Sequence, residues 1–134
     1  FDIAPHLQAR WEAWLENDAL WPEFTAFTHG ELYAAHVLID TPARIVGVLD
    51  WTTAKVADPA IDFTYQHMMG PAAFEATVAA YLEAGGRAHP YLAERCAELA
   101  AASPLLYGLF ALTSGDPQHR TSAEALLLPR DASS

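Results

Sequence analysis

The sequence predicts an α+β domain, mainly helical, carrying one small β-hairpin. Two β-branched runs, Val37-Leu38-Ile39 and Ile45-Val46-Gly47-Val48-Leu49, are its clearest strands. The stretch between them, Asp40-Thr41-Pro42-Ala43-Arg44, has the length and the proline of a hairpin connection. From Asp58 onward the pattern turns helical, with start signals at Asp58-Pro59, Gly70-Pro71, Pro90 and Asp116-Pro117. At 134 residues, 52% of them hydrophobic, the chain is long enough for one domain with a real core and too short for two.

Pro5 suits the first position of a helix, and Ile3, Leu7, Trp11 and Trp14/Leu15 recur at spacings of three and four. That amphipathic helix is expected to end near Asn17-Asp18, after which Trp21-Pro22 breaks the pattern. Phe24 to Thr28 is a short apolar stretch leading into His29-Gly30. After the hairpin, Asp58 can accept from orphan N–H groups while Pro59 gives none up. Ile61, Tyr65 and Met68 then form one face of a helix that Gly70-Pro71 ends. The next helix turns Phe74, Val78 and Tyr81/Leu82 inward and stops at Gly85-Gly86. A third, opened by Pro90, carries Leu92, Cys96 and Leu99, is kinked or divided at Pro104, and resumes through Leu106, Leu109/Phe110 and Thr113. The last runs from Asp116-Pro117 to about Leu127, and residues 129–134 read as a frayed tail.

Composition narrows the function. A formal charge of −10 with seven Lys and Arg argues against a nucleic-acid partner, since neutralising phosphates needs clustered basic groups. The single cysteine, Cys96, excludes an intrachain disulfide, fits a reducing compartment and reads as a small buried hydrophobe. The richest apolar stretch, Pro104 to Leu112, is too short to span a bilayer, and no basic-then-apolar leader opens the chain. The expectation is a cytoplasmic protein without a membrane partner.

Polar residues gather around the hairpin: His29-Gly30-Glu31 before it, His36 at the entrance to its first strand, and Asp50 at the exit of its second. A hairpin brings its outer ends together, so His36 and Asp50 should lie side by side with Glu31 on the loop leading in. A carboxylate and an imidazole at that place can bind a divalent cation, leaving a second carboxylate to handle a substrate hydroxyl. The spacing does not fit the HExxH zinc motif, and no Gly-x-Ser-x-Gly elbow occurs.

The stretch His29-Gly30-Glu31-Leu32-Tyr33-Ala34-Ala35-His36, then Val48-Leu49-Asp50-Trp51, then Asp58-Pro59-Ala60-Ile61-Asp62 resembles the aminoglycoside phosphotransferase-like kinases, and within them the macrolide 2′-phosphotransferases. The resemblance implies the C-terminal lobe of a protein-kinase-like fold, with the catalytic loop and metal site borne on the hairpin. It further implies that Glu31 is catalytic, orienting the acceptor hydroxyl and taking its proton. His36 and Asp50 would be the metal ligands, holding Mg²⁺ against the phosphates of GTP or ATP. His29 would brace the catalytic loop, and Asp58 or Asp62 would hydrogen-bond it from the following helix. Read without the resemblance, Asp58 is simply a helix N-cap and Asp62 a first-turn acid favoured by the helix dipole. Tyr65, Met68, Met69 and Phe110, with Tyr81, Tyr107 and Leu109, are candidates for an apolar pocket suited to a macrolide, although at helical spacing such residues also serve as core.

Two features depart from the family pattern. Glu31 replaces aspartate and carries its carboxylate outward by about 1.5 Å. The glycine-rich loop and the strand lysine that grip nucleotide phosphates do not occur here, the sole lysine being Lys55. With Phe1 in place of an initiating Met, the expectation is a single-domain C-terminal lobe fragment, residues 1–134, that relies on an N-terminal nucleotide-binding lobe and is inactive in isolation. The function expected of the whole protein is antibiotic resistance by transfer of a γ-phosphate to a macrolide 2′-hydroxyl. Alternatives are an aminoglycoside or other small-molecule acceptor, and a non-catalytic kinase-like binding module. A metal-dependent hydrolase using the same His and carboxylates is a third, which a tightly held transition metal with a third protein ligand would favour.

Overall fold

Proline sets the helix starts of this chain. In the computed structural model, which describes residues 1–41 and 43–128, α1 (Pro5–Leu15), α3 (Pro71–Glu83) and α5 (Pro117–Leu127) each begin on one. There the missing N–H costs nothing, because a first-turn donor has no partner within the helix. Asp116 completes the start of α5 by accepting the Gln118 N–H at 2.8 Å. Between α2 (Ala60–Met68) and α3 stands Gly70 at φ +111°, a value that side chains on L-residues avoid.

The remaining helix, α4 (Leu92–Ser114), runs unbroken through Pro104. The division expected at that proline is corrected. Pro104 removes one backbone hydrogen bond, but the alanines and leucines around it are strong enough helix formers to carry the helix past. At 23 residues α4 is, by length and composition alone, apolar enough to cross a membrane. Its first turns are tied to protein instead: Arg95 is buried and ion-paired with Asp58.

The expected hairpin is present as β2 (Val37–Asp40) and β3 (Arg44–Val48), antiparallel with Val37 opposite Val48 and a bulge at Leu38/Ile39. Pro42 in its connection and the tail 129–134 lie outside the described residues. A second ladder was not anticipated. β1 (Ala26–Thr28) pairs antiparallel with β4 (Lys55–Ala57), Thr28 opposite Lys55. Strands of three residues are too short to show a period in sequence.

The chain divides into two compact units: Phe1–Asp18 with the stretch from Ala101 on, and Ala19–Ala100. In the first, buried Trp11 donates its Nε1–H to the Ala101 carbonyl at 3.0 Å, and the Ala4 N–H reaches the Leu127 carbonyl at 2.8 Å. The second, which holds the polar cluster, is built on Ala60, Phe63, Leu92 and Cys96, with Phe74, Val78, Tyr81 and Leu99 packed against them. The inward face of α2 is therefore Ala60 and Phe63. Tyr65 and Met68, expected on that face, are exposed, as is Leu82 of α3. Phe63 wins the face because the Tyr81 ring meets it edge-on at 5.1 Å.

Candidate active site

β1 delivers the chain into a loop that only glycine can make. Gly30 has φ +92°, and a Cβ there would stand 2.7 Å from the Thr53 carbonyl oxygen. The loop's two leading N–H groups point at one carboxylate in the first turn of α2: His29 donates to Asp62 Oδ2 at 2.7 Å and Gly30 to Oδ1 at 2.8 Å. Asp62 thus uses both oxygens on the loop. The buried His29 ring links the loop to the end of the hairpin. Its Nδ1 accepts the Glu31 N–H at 3.2 Å, so the proton sits on Nε2, which donates to the Leu49 carbonyl at 2.7 Å. Thr53 Oγ1 donates to the His29 carbonyl at 3.0 Å, and the Trp51 ring covers the imidazole at 4.7 Å.

His36 enters β2 with Nδ1–H donated to the Glu31 carbonyl at 2.8 Å. That bond leaves the Nε2 lone pair free, 3.7 Å from Asp50 Oδ2. Asp50 itself occupies the left-handed region at φ +57°, which aspartate tolerates better than most residues. Its Oδ1 accepts from Thr52 Oγ1 at 2.5 Å and more distantly from the Thr52 N–H. The Thr52 side-chain hydrogen bond, then the backbone one, hold the Asp50 carboxyl below its ordinary range, with smaller help from His36 and His29. One donor atom each from Glu31, His36 and Asp50 lies within 4.8 Å of the others. The constellation is a nitrogen and two carboxylates, partly open to solvent, a donor set that fits a divalent cation.

The other residues singled out in sequence are dispersed. Of Asp58 and Asp62, the two alternatives for bracing the loop, Asp62 is the one whose hydrogen bonds reach it among the described residues. One Asp58 oxygen accepts the Ala60 N–H at 3.0 Å, capping α2, and the other pairs with Arg95. Tyr65 reaches the cluster's edge, its ring 5.0 Å from Tyr33, whose own ring is 4.3 Å from His36. Burial, then the charge of Glu31, raises the Tyr65 hydroxyl's pKa. Met68 and Met69 are exposed, and neither they nor Tyr65 line the cavity of about 210 Å³ that Thr28, Leu32, Asp62, Phe63 and Tyr81 help to form. Phe110 belongs to the other unit, where it packs on Tyr107 and His119. Sequence reasoning gave no role to Tyr33, Thr52 or Thr53. The Asp-Trp-Thr order was a usable signal for Thr52, since an aspartate side chain commonly accepts from the backbone two residues on, which brings that residue's hydroxyl alongside.

Comparison with known proteins places this geometry. A model of the phosphotransferase enzyme family (APH) matches residues 2–99. The crystal structure of macrolide 2′-phosphotransferase MphH from Brachybacterium faecium, as apoenzyme, is 50% identical with a TM-score of 0.89, covering 99% of this chain and 46% of that one. A macrolide 2′-phosphotransferase type I is 39% identical with a TM-score of 0.92, covering 98% of this chain and 44% of that one. The uncharacterized protein YcbJ of Bacillus subtilis (strain 168) is 40% identical over 131 residues, 96% of this chain and 43% of its own length. The chain thus spans less than half the length of the relatives it matches, and its helices and paired short strands correspond to the helical C-terminal lobe of a kinase-like fold. Matched by that family model over most of its length, the chain belongs to the phosphotransferase enzyme family and has macrolide 2′-phosphotransferases as structural neighbours.

Proposed function

We propose that the chain supplies the C-terminal lobe of an antibiotic kinase that transfers the γ-phosphate of GTP or ATP to the 2′-hydroxyl of a macrolide. The observation that carries this reading is the Glu31, His36 and Asp50 cluster, set on a loop whose N–H groups Asp62 holds. Glu31 orients the acceptor hydroxyl and takes its proton as that oxygen bonds to the γ-phosphorus, and the β–γ bridging oxygen leaves with the nucleoside diphosphate. His36 and Asp50 would hold Mg²⁺, which would supply charge neutralisation on the phosphates. Asp62 and His29 keep the loop fixed, so that positioning is settled before the reaction. The groups that grip the nucleotide are assigned to a preceding lobe of the same protein, which is proposed to act in the cytoplasm without nucleic-acid or membrane partners.

The test is transfer of labelled γ-phosphate to erythromycin by the full-length protein with Mg²⁺, run with GTP and with ATP and repeated with an aminoglycoside. Transfer to the macrolide is expected, and Glu31→Ala should abolish it. Transfer to the aminoglycoside instead would move the acceptor class, and no transfer to either would end the antibiotic-kinase reading. A binding module without turnover is a second reading, motivated by glutamate standing where the family has aspartate. Calorimetric binding of macrolide by a full-length protein that transfers nothing would favour it.

A further inference from the structure

The peptide unit between His29 and Gly30 is held at both ends. Its N–H donates to Asp62 Oδ1 at 2.8 Å, and its carbonyl accepts from Thr53 Oγ1 at 3.0 Å. Because the unit is planar, a partner on each end fixes its rotation as well as its position. Gly30 stands at φ +92°, and turning the peptide over would carry it to about −90°, a value glycine adopts as readily. That turn would take the Gly30 N–H off Asp62 and aim the His29 carbonyl at the carboxylate instead. We propose that Thr53 is a positioning residue for the transfer: its hydroxyl pins the His29–Gly30 peptide against this flip and so ties the loop bearing Glu31 to the segment bearing Asp50. The role in transfer rests on the phosphotransferase reading; the pinning of the peptide does not.

The segment after the hairpin is laid out for this contact. Its alternate residues meet His29: the Leu49 carbonyl accepts from Nε2–H at 2.7 Å, the Trp51 ring lies 4.7 Å from the imidazole, and Thr53 bonds the main chain. The residues between them, Asp50 and Thr52, are exposed and bond to each other, Thr52 Oγ1 donating to Asp50 Oδ1 at 2.5 Å. Two neighbouring threonines therefore serve different partners, one hydroxyl the carboxylate and the next the loop. Thr53 also packs flat on the glycine, its carbonyl oxygen and its Oγ1 each 2.7 Å from where a Gly30 Cβ would stand. The close approach that brings the hydroxyl to the loop is thus the one that requires glycine there, and glycine is the residue that makes the peptide prone to turn over. The two anchors differ in kind. Asp62 is a charged acceptor on a helix, whereas Thr53 is exposed and gives one neutral hydrogen bond, so removing its hydroxyl leaves the chain folded.

Thr53→Val keeps the shape of the side chain and removes the hydroxyl, while Thr53→Ser keeps the hydroxyl. Hydrogen exchange of the nucleotide-free full-length protein, followed residue by residue by NMR, reads the pin without any turnover. In Thr53→Val the Gly30 amide is expected to exchange about tenfold faster or more. The His29 amide, held by the other Asp62 oxygen and belonging to the preceding peptide, should stay within about threefold of the parent. Thr53→Ser should return Gly30 to within about threefold. In transfer to erythromycin with Mg²⁺, Thr53→Val should lower kcat about tenfold or more with both KM values within about threefold, and Thr53→Ser should restore it. A Gly30 amide within about twofold of the parent in Thr53→Val would overturn the pin. Equal acceleration of His29 and Gly30 would also overturn it, because the whole loop would then be opening rather than one peptide turning. Selective acceleration of Gly30 with kcat unchanged would overturn the role in transfer. A parent that transfers nothing would count against the kinase reading, and the exchange rates would still decide the pin.

Discussion

Replacing Asp62 with asparagine turns one carboxylate oxygen into an amide nitrogen that must face a backbone N–H. In the parent both oxygens are occupied, Oδ2 by His29 at 2.7 Å and Oδ1 by Gly30 at 2.8 Å. A hydrogen bond to a charged group contributes about 1.5–3 kcal/mol net, so Asp62→Asn should cost about 2–3 kcal/mol and Asp62→Ala, which loses both bonds, about 3–6 kcal/mol. Against a total of about 5–15 kcal/mol for a domain these are large losses. Urea unfolding followed by tryptophan fluorescence should show the asparagine midpoint falling by about 1 M or more. Stability alone does not locate the damage, so native-state hydrogen exchange is the sharper assay. The His29 and Gly30 amides should lose protection selectively, while those of α2 beyond its first turn keep theirs. A variant within about 0.5 kcal/mol of the parent, with both amides still protected, would refute the view that this carboxylate fixes the loop.

Gly30→Ala should destabilise by about 2–5 kcal/mol, from the positive φ and from overlap with the Thr53 carbonyl, and a midpoint unchanged from the parent would contradict that geometry. Arg95→Met strands the Asp58 charge and should cost about 3–5 kcal/mol, whereas the double change Arg95→Met with Asp58→Asn should recover much of it; a double-mutant cycle measures the coupling. Burial pushes the Cys96 thiol up to about 12, from an ordinary 9.0. The folded chain keeps a proton that the unfolded chain releases, so this contribution is complete below pH 9.0 and is lost as pH rises toward 12. Cys96 should accordingly resist a disulfide-exchange reagent at neutral pH until denaturant is added, and rapid labelling of the native chain would contradict its burial.

The hairpin was legible because its two β-branched runs flank a turn, and its ends could be paired by topology alone. That sufficed to bring His36 to Asp50 before any coordinates. The ladder of Ala26–Thr28 with Lys55–Ala57 left no trace in sequence, since three residues cannot display alternation. The buried face of α2 was misread because Ile61, Tyr65 and Met68 keep helical spacing as well as Ala60 and Phe63 do; contact with Tyr81, which is non-local, decides between them. Asp58 and Asp62 sit one turn apart on similar ground, and only the position of Arg95 on α4 separates the helix cap from the loop anchor. Roles that depend on neighbours in sequence could be read. Of the roles assigned by a partner thirty or more positions away, the tie of Asp62 to the loop was offered only through the resemblance and only as an alternative to Asp58.

The short ladder between β1 and β4 makes the chain enter and leave the polar cluster through one doorway. Glu31, His36 and Asp50 all lie on the excursion between Thr28 and Lys55, which are paired across that doorway and joined again by the Thr28 hydroxyl on the Lys55 carbonyl at 2.9 Å. Such an excursion has unequal tolerance for changes in length. An inserted residue between β2 and β3 falls at the far end of the ladder from the donors and leaves every donor in place. An inserted residue between Gly30 and His36, or between Val48 and Lys55, shifts one donor against the rest and breaks the set. Drift in loop length among relatives should therefore collect between β2 and β3, while the two limbs of the excursion hold their count.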